Sequence, residues 1–566
     1  MNRNETAYYR TAGGSGGRGV QGCVQSGDRG VQSDMRGVQG CVQSGDRGVQ
    51  GCVQSGDRGV QSDMRGVQAR AQSGVLCVLA AVAAAFLAAS CATKPAQPIE
   101  PVEPVEPISP TEQAIGEPSV AEPAAPAEPV FTRIAFGEQL SALIADGRFD
   151  EAIALFDTVP ENEAGELSMR MLRLSVLISA GRTEQSAALA NALEKEHPNN
   201  PEIAYIQAML ATARNDMLGR TKYLNQVLKN NPGHSLAMVG LGLDLLGKKN
   251  YTQAKKWLLK AVASDPSNTD ALLGLAKTYY MENELAKAGD ALNLAIEKEP
   301  GYSSLWAERA RIKSESDDLP GALKDIAVAV SLDDGVYGHW IDYGNYLISA
   351  AQKQEARNAF TKAIEIDPEH YLAYIYRAGL NDDLENYEEA IDDYRTICRV
   401  YPQYFYAAES LGILLWGKKD WAGSQAAFKQ ALYYSPKNIS YALMATICLY
   451  KDDKKDEAKK FMSQYLTTLN RTSTEYFLCR LFVDLAGDAD VLNRIMKEKD
   501  VNKRNRMLFY SATYYDLFQS RDIAQKYYLE VLSIRAPTFF EFRLSEWAIR
   551  DMNNAADPQV RDSQQS

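Results

Sequence analysis

Proline recurs at Pro198, Pro232, Pro266, Pro300, Pro368, Pro402 and Pro436 on a grid of 34 residues, and Asp334 holds the one grid position that lacks it. A fixed period of this length marks a helical solenoid, because a single short copy cannot bury its apolar face and must stack on its neighbours. Such arrays bind other polypeptides more often than they perform chemistry.

The residues between the grid positions sharpen this reading. Counted from the third residue after each grid position, small side chains recur at position eight (Gly242, Ala276, Ala310, Gly344, Ala378, Gly412), at position twenty (Ala254, Ala288, Ala322, Ala356, Ala390, Ser424) and at position twenty-seven (Ala261, Ala295, Ala329, Ala363, Ala431). Bulky groups alternate with them, with Trp306, Trp340 and Tyr374 at position four and Leu258, Leu292, Ile326, Phe360, Tyr394 and Phe428 at position twenty-four. Each copy therefore reads as two antiparallel helices that cross closely where the small residues meet. The proline ends the second helix, since it lacks an N–H and clashes with the preceding turn.

This combination resembles the tetratricopeptide repeat family. The fullest copy carries Trp340, Tyr343, Gly344, Ala356, Phe360, Ala363 and Pro368 in the family's order. The resemblance implies an all-α, right-handed superhelical solenoid of antiparallel helix pairs, with ten contiguous repeats over 133–472. Ser186 and Arg220 depart from the pattern at position twenty, and Arg220 puts a close helix crossing in doubt there. Beyond Thr472 the phase slips. Thr474 to Lys503 reads as a degenerate helical pair, Asn505 to Thr538 as a further repeat with Ala512, Tyr515, Ala524, Tyr528 and Val531, and Phe539 to Met552 as a capping helix. A polar tail over 553–566 closes the chain.

The segment 1–63 has a different character. The eleven residues Arg18 to Asp28 recur from Arg36 and from Arg47, and a seven-residue copy stands at Arg29 and at Arg58. Copies this identical point to recent duplication, and so glycine-rich a segment cannot bury enough apolar surface to fold. An export signal follows over 64–90: Arg65 and Arg70, an apolar run from Gly74 to Ala89, then Leu87-Ala88-Ala89-Ser90-Cys91. The run is shorter than the roughly 20 residues a spanning helix needs. The cysteine after small residues resembles a bacterial lipobox and implies lipid attachment at Cys91, although Leu87 sits one residue earlier than the strict pattern. Ordinary cleavage and an uncleaved anchor are the alternatives. Because export signals act from the N-terminus, translation is expected to start at Met64, the alternative being a true leader.

Over 91–132 prolines fall on every third residue from Pro95 to Pro110, along one edge of a polyproline II helix, among glutamates such as Glu100 and Glu128. Ring stiffness and charge repulsion both favour an extended tether. A proline-rich ligand for another domain is the competing reading.

The net charge of −12 and the lack of a basic cluster argue against nucleic-acid binding. Cys398, Cys448 and Cys479 have no metal-like spacing and read as small core residues. His197, His234, His339 and His370 have no ligand-spaced partner, and no phosphate loop or nucleophile elbow is present. The acid pairs Asp382-Asp383 and Asp452-Asp453 read as solvated turns at helix ends. No catalytic, cofactor-binding or metal-binding residues are expected.

In the family resembled, the first helix of each repeat lines the concave face through positions two, five, nine and twelve. Here position nine runs Met209, Leu243, Lys277, Arg311, Asn345, Gly379, Ile413, Ile447, apolar at both ends and polar between. Tyr205, Leu236, Val239 and Leu246 extend the first apolar stretch; Ile375, Tyr406, Trp416, Leu443 and Tyr450 extend the second. These are candidates for anchoring a partner, unless another part of the chain covers them. Lys277, Arg311 and Asn345 are candidates for holding an acidic group. The family's carboxylate clamp is not expected, because position five holds Leu273, Ala307 and Ile341. The expectation is a lipid-anchored adaptor on the periplasmic side of a bacterial envelope, outer membrane favoured, that joins other envelope proteins or peptides in outer-membrane assembly, wall-enzyme regulation or secretion. The alternative is a carrier for a glycan or lipid, with Trp416 and Tyr450 as its apolar surface.

Overall fold

The computed structural model describes residues 131–535 and 537–556, so the duplicated segment, Met64, the export signal, Cys91 and the tether lie outside the described residues. The described chain is all-helical and falls into two compact units that divide between Glu299 and Pro300.

The N-terminal unit contains α1 (Arg133–Ala145), α2 (Phe149–Leu155), α3 (Glu161–Ala164), α4 (Leu167–Ser179), α5 (Thr183–Glu196), α6 (Pro201–Ala213), α7 (Met217–Asn230), α8 (Ser235–Gly247), α9 (Tyr251–Ser264), α10 (Thr269–Met281) and α11 (Leu285–Lys298). Its first hairpin is irregular. A 3-10 turn at Phe156–Thr158 ends α2 early, and Pro160 then opens the four-residue α3. Phe136 and Phe156 meet edge to face at 5.3 Å beneath this turn.

The C-terminal unit contains α12 (Ser303–Glu315), α13 (Leu319–Leu332), α14 (Tyr337–Ser349), α15 (Lys353–Ile366), α16 (Tyr371–Asp383), α17 (Tyr387–Val400), α18 (Phe405–Gly417), α19 (Trp421–Tyr434), α20 (Ile439–Lys451) and α21 (Lys455–Leu466). There follow α22 (Thr474–Asp484), α23 (Asp488–Met496), α24 (Val501–Phe518), α25 (Arg521–Leu532) and α26 (Glu541–Ala556). The last repeat starts earlier than the expected Asn505, because the Asp500 side chain accepts from the Lys503 N–H and caps α24 four residues upstream.

Position-specific packing explains the period. A Cβ added to Gly344 would lie 2.5 Å from Phe360 Cζ, one on Gly412 would lie 2.9 Å from Phe428, and one on Gly242 would lie 2.7 Å from Leu258. The small residue at position eight is thus the seat of the bulky residue at position twenty-four. Ala254, Ala288, Ala322, Ala356 and Ala390 are wholly buried on the facing helices.

Each hairpin of the regular ladder turns through one left-handed residue. Gly147, Gly181, Asn215, Lys249 and Asn283 do this in the N-terminal unit, and Asp317, Ala351, Glu385, Lys419 and Asp453 in the C-terminal unit, on the same 34-residue grid. In every case the following N–H donates back five residues to a helix carbonyl, as Asp216 does to Ala211 at 2.8 Å and Gln352 to Leu347 at 2.9 Å. This is the 6→1 bond of a Schellman motif, which satisfies carbonyls at the helix end. The next grid position, Gly487, is left-handed too, but Leu485 two residues before it is an additional left-handed residue off the grid, where the degenerate pair α22–α23 stands.

Arg220 does not open the helix crossing that its size called into question. Its guanidinium reaches past Gly240 to Asp244 at 3.0 Å and Thr212 at 2.7 Å, tying α7 to both α6 and α8. Asp334 in turn replaces proline without loss of a key bond. The Trp340 indole donates to the Asp334 carbonyl at 2.8 Å, as the Trp306 indole does to Pro300 at the same distance.

Candidate functional site

The face expected to hold a partner is built from the first helix of each repeat. In the N-terminal unit, Tyr205 on α6 is half-buried with its ring 5.0 Å from that of His234, and burial pushes its hydroxyl up to about 12. Met209, one turn on, packs against the apolar cluster of the first hairpin around Phe136 and Phe156. On α8, Leu243 lies half-buried beside the Leu258 cluster, Val239 is buried, and Leu236 is 40% exposed. Lys277 on α10 is half-buried.

In the C-terminal unit the polar stretch comes first. Arg311 on α12 pairs with Glu308 at 3.1 Å. Asn345 on α14 is buried, and its Oδ1 accepts no hydrogen bond. Lys277 belongs to the N-terminal unit and the other two residues to the C-terminal unit.

The second apolar stretch is covered by the chain itself. Ile413, Leu443, Ile447 and Tyr450 are all buried in one cluster that also takes in residues of α24 and α26. The Tyr450 hydroxyl donates to the Phe482 carbonyl at 2.5 Å, and its ring meets Phe518 edge to face at 5.0 Å. Trp416 stays half-buried against this cluster, with Trp421 at 5.2 Å and the Lys451 ammonium 5.1 Å above its ring. These side chains are core residues, because the helices beyond the ladder fold back over them. Of the two residues read as an apolar surface for a glycan or lipid, Tyr450 is buried in this way and Trp416 is half-buried.

The covering helix is held by specific contacts. Arg543 of α26 donates twice to the Asp382 carboxylate at the end of α16, at 2.7 Å to each oxygen, across 161 residues of sequence. Its guanidinium also lies 4.6 Å from the Trp547 ring centroid. Trp547 fills the space above Gly417 on α18, where an added Cβ would lie 2.8 Å from the indole. Glu541 accepts from Ser440 of α20 at 2.5 Å and from Tyr510 of α24 at 2.6 Å. Phe540, just before α26, stacks on Phe428 at 5.9 Å. Asp382, read from sequence as a solvated turn residue, is in fact a half-buried docking point, whereas Asp453 is exposed as expected. The signal was in the frame: Asp382 and Ser440 stand at positions twelve and two, which the family assigns to this face.

Two further ion pairs recur at positions seven and twenty-three. Arg309 binds Asp325 through two bonds of 2.7 and 2.9 Å, and Arg377 binds Asp393 at 3.0 and 2.7 Å. Burial raises the Asp325 carboxyl, but bonds from Arg309 and Lys313 outweigh it and hold it below its usual range. Asp393 has one cation instead of two, and burial prevails, raising it. Burial pushes the Cys398 and Cys448 thiols up to about 12, as befits core cysteines. Among the described residues no group of three metal-ligating side chains comes together, and no helix is long and apolar enough to cross a membrane.

Helical hairpins joined by a recurring left-handed turn, with a first-helix face that accepts another helix, define a repeat protein of the interaction class. A tetratricopeptide repeat model matches 143–210 and 245–312, and a second matches 221–268, 342–405 and 382–439. These matches and the relatives together support the tetratricopeptide repeat family for this chain. A TPR repeat-containing protein of Methanocaldococcus jannaschii is 22% identical over 299 residues, 52% of this chain and 49% of that protein. Another from Pseudomonas aeruginosa is 26% identical over 167 residues, 29% of this chain and 28% of that protein. The chain thus spans about half the length of the first relative and under a third of the second. A solved tetratricopeptide repeat protein from Parabacteroides merdae aligns with 44% of this chain and 98% of its own, at 18% identity and a TM-score of 0.35. Proteins of this family generally mediate protein–protein interactions, and the fold is typical of non-enzymatic ones.

Proposed function

We propose that the protein is a lipid-anchored scaffold facing the periplasm of a bacterial envelope, where it holds other proteins or peptides on the first-helix face of its repeats. One observation carries the binding half of this reading: the face formed by α16, α18 and α20 already holds an amphipathic helix through an Arg–Asp pair, a tryptophan seat and a buried carboxyl. A surface that accepts one helix by such contacts has the chemistry to accept others. The anchoring half rests on sequence, from the basic residues Arg65 and Arg70 through the apolar run to Cys91, with the proline-rich stretch as a spacer.

Two experiments test the halves separately. Cys91→Ala should move the protein from the membrane pellet to the soluble fraction; retention in the pellet would overturn the lipid anchor. Crosslinking in cells followed by mass spectrometry should recover a polypeptide in stoichiometric amount. A glycan or lipid recovered without any protein would overturn the scaffold.

A further inference from the structure

The helix α26 does more than close the end of the array. A cap needs to cover only the last hairpin, α24 and α25, with a polar outer side. Instead α26 reaches Asp382 on α16, Gly417 on α18 and Ser440 on α20, the ends of three successive first helices. Those helices carry positions that sequence assigns to partner capture, among them Ile413 and Ile447, which are buried here.

The way it is seated is selective. Arg543 is gripped by both oxygens of one carboxylate, a geometry that recognises a guanidinium over an ammonium. Four residues on, Trp547 drops onto a glycine, the one residue type that leaves room for the indole. Such residues are typical interface anchors. The seat also carries an unrepaid cost. Glu541 is fully buried, and while its Oε1 accepts two hydrogen bonds, its Oε2 accepts none. A buried carboxyl oxygen without a donor opposes docking. A helix held by specific contacts and weakened by one unsatisfied group is suited to leave.

We propose that α26 is an internal ligand of the face formed by α16, α18 and α20, and that it gives way to a partner helix carrying arginine and tryptophan four residues apart. This rests on the polypeptide-scaffold reading and adds to it the chemistry of the partner and a closed state. The Arg543–Asp382 bond, the Trp547 seat and the Glu541 carboxyl would each be replaced in kind by the incoming helix or left to water.

The test uses the full chain and a fluorescent synthetic peptide with the sequence of Glu541–Ala556. Wild-type protein should bind it weakly, because the internal copy competes. In the Arg543→Glu variant, hydrogen exchange over 541–556 should rise and the wild-type peptide should bind at least tenfold more tightly. A peptide bearing Arg543→Glu should not bind that variant. Combining Asp382→Arg with Arg543→Glu should restore protection of α26 and again exclude the wild-type peptide, which guards against a simple folding defect. Gly417→Phe should free α26 and yet block the peptide, since it fills the tryptophan seat.

Unchanged protection of α26 in Arg543→Glu, or release without peptide capture, would overturn the proposal. A cellular partner captured equally by wild type and Arg543→Glu would also overturn it while leaving the scaffold reading in place.

Discussion

At Gly181 and at Ala351 the backbone takes the same left-handed turn, with φ of 68° and 58°, and around Gly181 no atom lies within 4 Å of where a Cβ would stand. The difference between the two sites is therefore conformational alone. Gly181→Ala should lower stability by about 1 kcal/mol and Ala351→Gly should raise it by a similar amount, read from urea denaturation. Gly344→Ala is a different case, because the added methyl must displace the Phe360 ring; it should cost about 1–3 kcal/mol. Replacing Asp325 with asparagine leaves Arg309 and Lys313 facing a buried neutral group and should cost about 3 kcal/mol. Because the Asp325 carboxyl is depressed, its contribution is present above the ordinary aspartate range and is lost as pH falls through its lowered value. Steric pairs such as Gly344 and Phe360 were legible in the sequence, since one must be small for the other to be large. The left-handed turn was not, because Asn215, Lys249, Ala351 and Glu385 share a backbone angle and no side-chain property.

At the scale of helices, the regular pairs follow from the grid, and the departures follow from local capping. Asp500 starts α24 ahead of its place in the frame, and the 3-10 turn at Phe156–Thr158 ends α2 early. The docking of α26 was out of reach of the periodicity, because Arg543 and Asp382 lie 161 residues apart and the period is broken between them. Apolar residues such as Ile447 and Tyr450 looked like groove anchors for the same reason: a helix beyond the break covers them. The carboxyl of Glu541 is raised by burial, which outweighs the bonds from Ser440 and Tyr510 and the Arg506 charge. The Glu541 contribution to docking should accordingly be fully present at and below the ordinary glutamate range and should be lost as pH climbs through the raised value. Hydrogen exchange over 541–556 should show this loss of protection in the wild type and a flat profile in Glu541→Gln. Two flat profiles would mean that the carboxyl is not ionised in the accessible range.

Across the whole molecule the two sides of each hairpin do different work. The packing positions hold helix to helix and admit little change, while first-helix positions such as Lys277 and Arg311 are only half-buried. Lys277 and Arg311 lie on the first-helix face, and Lys362 projects from the second helix of its repeat with about half of its side chain exposed. The most direct measurement is a photo-crosslinking amino acid placed in cells at position 311, at position 277 and, for comparison, at position 362. A discrete protein adduct from 311 and 277, with none from 362, is the expected result. Adducts of equal yield from all three positions, or from 362 alone, would contradict it.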